Sequence, residues 1–382
     1  LHNVGAEGKL CRSEFSGFFS EAGHMNDSHT VASAHYQRAA RVILNADAAA
    51  PIAVEVTRGS MVESVHRVIA AVVDRHGKPL LSWGDIDRPI YPRSAIKPLQ
   101  ALAVIETGAA DAFNLSDDEI ALCCASHRGE PMHVQRVLSI LQRLGLSVDD
   151  LSCGPQTPGH APSARALIVA REEPSRAHNN CSGKHSGMLT TARHTGAPIN
   201  GYSAPDHPIQ TRLIGDVGAM GGVDLSATAR GIDGCGIPVF GMPLIAVARA
   251  MANLADPVDQ TEVRQAAAKR IIAACAAHPL MLSGTDTFNS SVLAETGERA
   301  LLKGGAEGVY TAAVPGLGVG ICVKADDGAS RAASVAIGAI LCHLGIIDAE
   351  TESRLSAHLK PEISNWAGTL IGVIEPSEDL HF

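Results

Sequence analysis

The chain is poor in aromatic residues: two Trp, four Tyr and seven Phe make up 3% of 382 positions. Hydrophobic residues still reach 46%, so a core has to be assembled from Ala, Val, Leu and Ile. Basic clusters interleaved with aromatics are missing, which removes the usual basis for nucleic-acid binding. No uninterrupted apolar run approaches the ~18 residues that a membrane span requires. The first residues lack the basic, apolar and small-residue succession of a secretory signal. Paired Cys-x-x-Cys spacing is also absent, and nine scattered cysteines are an odd number, which is not a disulfide framework. Together these absences point to a reduced, cytoplasmic protein with neither a membrane nor a nucleic-acid partner. The balance of 31 basic and 40 acidic residues, net −9, is compatible with a small polar substrate but does not imply one. The length suffices for one large domain or two of ordinary size.

Residues 1–50 mix Gly, Ser, Asn and His with isolated Phe15, Phe18 and Phe19, and no period persists. They read as a non-catalytic extension whose composition is compatible with disorder. Residues 51–382 read as a single catalytic domain. β-Branched alternation runs from Ile52 through Val65–Asp74 to Pro79–Trp83, with a turn at His76-Gly77, and predicts an antiparallel meander. Helical periodicity follows Ser94, then continues around 117–125, 131–144, 162–172, 184–194, 206–218, 241–254 and 260–277. Strands are predicted again at Ser290-Ser-Val-Leu-Ala, Arg299–Lys303, Gly308–Val314 and Gly318–Lys324, before a last helix near 330–344. Strands at both ends around a helical block imply an α/β fold. Its mainly antiparallel sheet would come from about 51–92 and 285–345, with a helical lobe inserted at about 110–280.

Five segments carry chemistry. The first is Pro92-Arg-Ser94-Ala-Ile-Lys97-Pro98. If it opens a helix, Ser94 and Lys97 share one face, and a desolvated lysine there can take the serine's proton. A capping serine beside a solvated lysine gives the same pattern by chance. The second, Cys124-Ala-Ser126-His127-Arg-Gly-Glu130, ends a helical run in a polar turn. Ser126 could relay a proton to a leaving group, and His127 could orient groups or titrate near neutrality. The third, Asn179–Gly187, contains Cys181, Lys184 and His185, and Ser182 could cap the helix that follows. The fourth is Gly231-Ile-Asp233-Gly-Cys235-Gly236, a glycine-rich turn. Cys181 and Cys235 could hold a soft metal together, or be buried free thiols. The fifth is Lys303-Gly-Gly-Ala-Glu307, whose lysine ends a strand, as in the far wall of Ser-Lys acyl-transfer sites.

In this order the segments resemble the class 3, or rhizobial-type, L-asparaginases of the asparaginase II family. The resemblance runs from about Val54 to at least Val323 and includes Pro205-Asp-His207-Pro208 and His278-Pro279. It implies a serine glutaminase/β-lactamase-like fold and hydrolysis of L-asparagine to L-aspartate and ammonia by a homodimer. Ser94 would be the nucleophile and Lys97 its base, with Ser126 and Lys303 as a second Ser-Lys pair. Arg93, His127, His185 and Asp233 would face the substrate. Cys181, Lys184 and Cys235 would bind zinc beside the pocket, not as the catalyst. The chain departs from the pattern at Glu307, where Asp is expected, and has no Ser-Asp-Asn element, which argues against β-lactam hydrolysis. A related amidase acting on glutamine, a β-lactam or a peptide amide stays open, as do catalysis by a zinc-activated water and a non-catalytic amino-acid or zinc binder on the same fold.

Overall fold

A computed structural model describes residues 50–380, so the extension assigned to 1–50 lies, apart from Ala50, outside the described residues. An eight-stranded antiparallel sheet organises the rest. Its path runs Glu362–Ser364, Leu370–Pro376, Ile52–Arg58, Met61–Asp74, Val319–Ala325, Val309–Val314 and Leu301–Gly305, and Pro79–Trp83 pairs beside it with Met61–Asp74. The long strand changes partner midway. Its first half pairs with Ile52–Arg58, and Val68–Asp74 pairs with Val319–Ala325. Val68–Val73 are six consecutive buried residues, as expected where both faces of a sheet are covered.

Scarcity of aromatics is answered by close approach of backbone to backbone. The helix Leu244–Ala255 is nearly all Ala, Leu, Val and Met, and it lies directly on Gly320, where a Cβ would sit 2.0 Å from Ala248 O. The central helix Ser182–Thr195 approaches Asp117–Cys123 in the same way, since a Cβ on Gly183 would meet Leu122 O at 2.3 Å. Tight packing replaces bulky side chains.

Two expectations are corrected. Ser290-Ser-Val-Leu-Ala is part of a helix, Phe288–Thr296, not a strand. Thr287 Oγ1 accepts from Ser290 N at 3.1 Å, and this cap decides the local conformation against the β-branched residue that follows. The sheet also does not end near residue 345. Leu370–Pro376 pairs with Ile52–Arg58, and Asn365 Oδ1, accepting from Ala367 N and Thr369 N, shapes the turn that feeds it. No helix among the described residues is long and apolar enough to cross a membrane.

Candidate active site

Ser94 lies in a single 3-10 turn, Arg93–Ile96, which passes directly into the helix Lys97–Gln100 with Pro98 in its first turn. Arg93 has φ +51°, a left-handed conformation that costs a non-glycine residue roughly 1 kcal/mol. The Leu301–Gly305 strand holds this turn in place. Thr311 Oγ1, on the next strand, donates to Ala95 O at 2.9 Å, and a Cβ on Gly305 would stand 2.9 Å from Ala95 N and 3.3 Å from Ser94 N. A side chain at 305 would therefore press into the backbone of the serine turn.

Lys97 is fully buried. It donates to Ala125 O at 2.5 Å, Ser126 Oγ at 3.0 Å and Cys181 Sγ at 3.2 Å. Three acceptors match the three N–H groups of an ammonium. No hydrogen bond joins Ser94 Oγ to Lys97 among the described residues, so the pairing expected from the i, i+3 spacing is not made in this state. Ser126 follows the helix Asp117–Cys123, and its own N–H is taken by Leu282 O at 3.1 Å. Its Oγ is 2.9 Å from Lys303 Nζ, which also donates to Gly304 O at 2.6 Å. Burial, and next the charge of Lys97, hold the Lys303 amine well below the ordinary lysine range. A neutral Lys303 offers a lone pair. With Lys303 neutral, Ser126 Oγ can accept from Lys97 and donate to that lone pair, while one Lys303 N–H serves Gly304 O.

Cys181 precedes the helix Ser182–Thr195, and Ser182 does not cap that helix, because its Oγ donates to Ala177 O instead. A hydrogen bond from the Cys235 thiol, aided by the charges of Lys97 and Lys184 and opposed by burial, holds the Cys181 thiol well below its usual range. The bond to Cys181 and burial push Cys235 up. Lys184 Nζ donates to Cys235 Sγ at 3.1 Å; burial disfavours its charge, yet the two sulfurs outweigh burial and raise its pKa. No group of three or more His, Cys, Asp or Glu among the described residues could hold a metal. The Cys181 and Cys235 sulfurs, with the Lys184 amine 3.1 Å from Cys235 Sγ, nevertheless comprise donor types that zinc accepts.

Asp233 sits in the turn between Arg230–Ile232 and Pro238–Phe240, where Gly236 takes φ +89°. Its Oδ1 accepts from Arg93 Nε at 3.0 Å, Arg93 Nη2 at 2.6 Å and Gly234 N at 2.8 Å. Burial would raise its pKa, but the Arg93 bond and the Lys184 charge prevail and lower it. Arg93, Ser94, Lys97, Lys184 and Asp233 line one narrow cleft. Ser126 and Lys303 are not in its lining and connect to it through Lys97.

Two histidines differ in their settings. His127 is stacked on His133 with centroids 4.7 Å apart and is 2% exposed. Gly129 N donates to its Nδ1 at 3.1 Å, so Nε2 carries the proton towards Ser182 Oγ at 2.9 Å. Burial drives its pKa well below the usual imidazole value, so it does not titrate near neutrality, and both nitrogens are occupied within the protein. The expectation of a substrate-facing, titrating His127 gives way to a structural one. His185 is also buried and has its pKa lowered by burial and by Lys184 and Lys97, but its Nε2 has no partner among the described residues. Its Nδ1 meets Tyr202, a residue that no motif singled out. His207, a landmark without an assigned role, caps the helix Pro208–Gly221 by accepting from Ile209 N at 3.2 Å.

The L-asparaginase II family model matches residues 54–376, which include every residue placed above in the cleft and behind it. The chain belongs to the L-asparaginase II family. Membership makes it an asparaginase-like amidohydrolase, a hydrolase acting on amides of small molecules. No curated protein matches the chain.

Proposed function

We propose that this L-asparaginase II family member hydrolyses L-asparagine to L-aspartate and ammonia through an acyl-enzyme on Ser94, on a serine glutaminase/β-lactamase-like fold. The observation that carries the proposal is the cleft itself, which Ser94 lines beside the Arg93–Asp233 ion pair. That pair offers one charge to each end of an amino-acid zwitterion: the guanidinium to the α-carboxylate, and the carboxylate to the α-ammonium. Among the described residues Asp233 Oδ2 accepts no hydrogen bond and is available for the second contact.

The two Ser-Lys pairs form one relay. As Ser126 passes its proton to Lys303, Lys97 passes one to Ser126, which frees a lone pair on Lys97 for the proton of Ser94. Ser94 Oγ then bonds the amide carbon while the Ser94 N–H steadies the oxyanion; as the C–N bond breaks, Ser126 gives its proton to the departing nitrogen and Lys303 hands its own back to Ser126. Water cleaves the ester by the same groups. A second reading makes Ser126 the nucleophile, because it already bonds both amines while Ser94 bonds neither.

The test is ammonia release from asparagine, followed by acid quenching and peptide mapping of the acyl-enzyme. The expected result is an aspartyl adduct on the Ser94 peptide, lost in Ser94→Ala. An adduct on Ser126 selects the second reading, and no ammonia from asparagine overturns both. Glutamine in the same assay measures the side activity, since one methylene is worth only ~1–3 kcal/mol in a pocket.

Cys181, Lys184 and Cys235 are proposed to hold zinc, which would supply a fixed positive charge beside the cleft. Binding requires Lys184 and Cys235 to lose protons, so metal affinity falls as pH falls. About one zinc per chain is expected in the purified protein and a loss of it in Cys235→Ala; equal zinc in both would remove Cys235 from the ligand set. The eight described cysteines are all free, which supports a reducing, cytoplasmic setting. A homodimer is the proposed state, and sedimentation equilibrium at the monomer mass would exclude it.

A further inference from the structure

Tyr202 is 1% exposed, and its ring meets that of His185 edge to face with centroids 5.5 Å apart. Two groups approach its hydroxyl closely. The backbone N–H of Ser152 donates to it at 2.9 Å, and His185 Nδ1 lies 2.6 Å away. A phenol has a single proton to give. The Ser152 side chain also bonds the hydroxyl, but His185 Nδ1 at 2.6 Å is the stronger acceptor of the two, so the phenol proton is assigned to it. Nδ1 then accepts, and the proton of the imidazole belongs on Nε2. Nε2 is the ring atom left buried without a partner among the described residues. A buried N–H with no acceptor is costly, and a ligand oxygen would satisfy it. The preceding residue, Lys184, lines the same cleft as Ser94.

We propose that Tyr202 is a positioning residue: it fixes His185 as the Nε2–H tautomer, so that Nε2–H donates to a carboxylate or amide oxygen of the bound substrate. This rests on the reading of the cleft as a small-amide site. The opposite arrangement has Nδ1–H donating to the phenol and the phenol donating to Ser152 Oγ. It would leave a bare lone pair on Nε2, useless to an oxygen.

Nitrogen-15 NMR of the full-length protein labelled at histidine distinguishes the two, with the His185 signal assigned by its loss in His185→Gln. The expected spectrum shows a protonated Nε2 and an unprotonated Nδ1, with the Nε2–H proton moving on saturation with L-aspartate. In Tyr202→Phe the fixed tautomer is lost and KM for asparagine rises roughly ten-fold, with kcat changed less than about three-fold. Ser152→Ala keeps the backbone N–H and should change neither. An unprotonated Nε2 in the wild-type protein overturns the proposal, as does a Tyr202→Phe protein with wild-type spectrum and KM. Should Tyr202→Phe not fold, the wild-type spectrum decides alone. Inactivity on asparagine would overturn the amide reading, and the spectrum would still settle the tautomer.

Discussion

Lys303→Met is expected to lower kcat for asparagine hydrolysis by roughly 10³- to 10⁴-fold while KM stays within about three-fold. The rate falls because Ser126 loses the amine, 2.9 Å from its Oγ, that is proposed to take its proton. KM holds because Lys303 is not in the cleft lining. The depressed pKa of Lys303 adds a pH signature. Its folded value lies below the ordinary 10.5, so between the two the unfolded chain binds more protons than the folded one. Stability therefore rises with pH through that window, and the slope should be weaker in Lys303→Met. Activity runs in the same sense. The acid limb of kcat/KM should lie well below the ordinary lysine range, because catalysis begins once pH climbs past the depressed value. A Lys303→Met protein with a tenth or more of wild-type kcat would remove the base from this scheme. Denaturant midpoints and pH–rate profiles check both halves.

Lys97→Met is expected to cost as much in turnover, roughly 10³-fold or more, but with the opposite effect on stability. Burial favours the neutral form of Lys303, so an apolar replacement is expected to leave no charge unpaired. Lys97 is different. Its ammonium serves Ala125 O, Ser126 Oγ and the Cys181 thiolate, and its removal strands a buried negative charge. Breaking a buried pair in this way costs about 3–5 kcal/mol. In the metal-free protein Lys97→Met should therefore unfold at clearly lower denaturant than Lys303→Met. Equal midpoints would show that the thiolate assigned to Cys181 is a neutral thiol.

The segments that meet in the site were legible in the sequence, because each couples a reactive side chain to a turn or strand end that glycine or proline marks. What each side chain touches was not. Spacing places Ser94 and Lys97 on one edge of a turn, but a lysine stem ends several ångströms away, where the local pattern has no say. There the acceptors come from Ala125 and Cys181, which other helices deliver. His127 looked like a titrating group because its neighbours are polar; its packing against His133 and Gly129 is tertiary and invisible locally. Tyr202 carried no motif at all. Its importance arises from a contact with His185, one helix earlier. In the fold the same logic holds: Thr287 as a cap outweighed a strand-like Val292, and the Leu370–Pro376 strand is defined by its partner Ile52–Arg58 more than by its own residues.

The order in which the chain is made gives the sheet a further meaning. Ser94 belongs to an early segment, whereas Lys303 lies on a strand that joins the sheet through Val309–Val314 and Val319–Ala325. Until those late strands are made, Lys303 is not desolvated, and the base proposed for Ser126 is missing from the nascent chain. On the proposed mechanism, hydrolytic competence waits for the strand Leu301–Gly305 to join the sheet, roughly 200 residues after Ser94 is made.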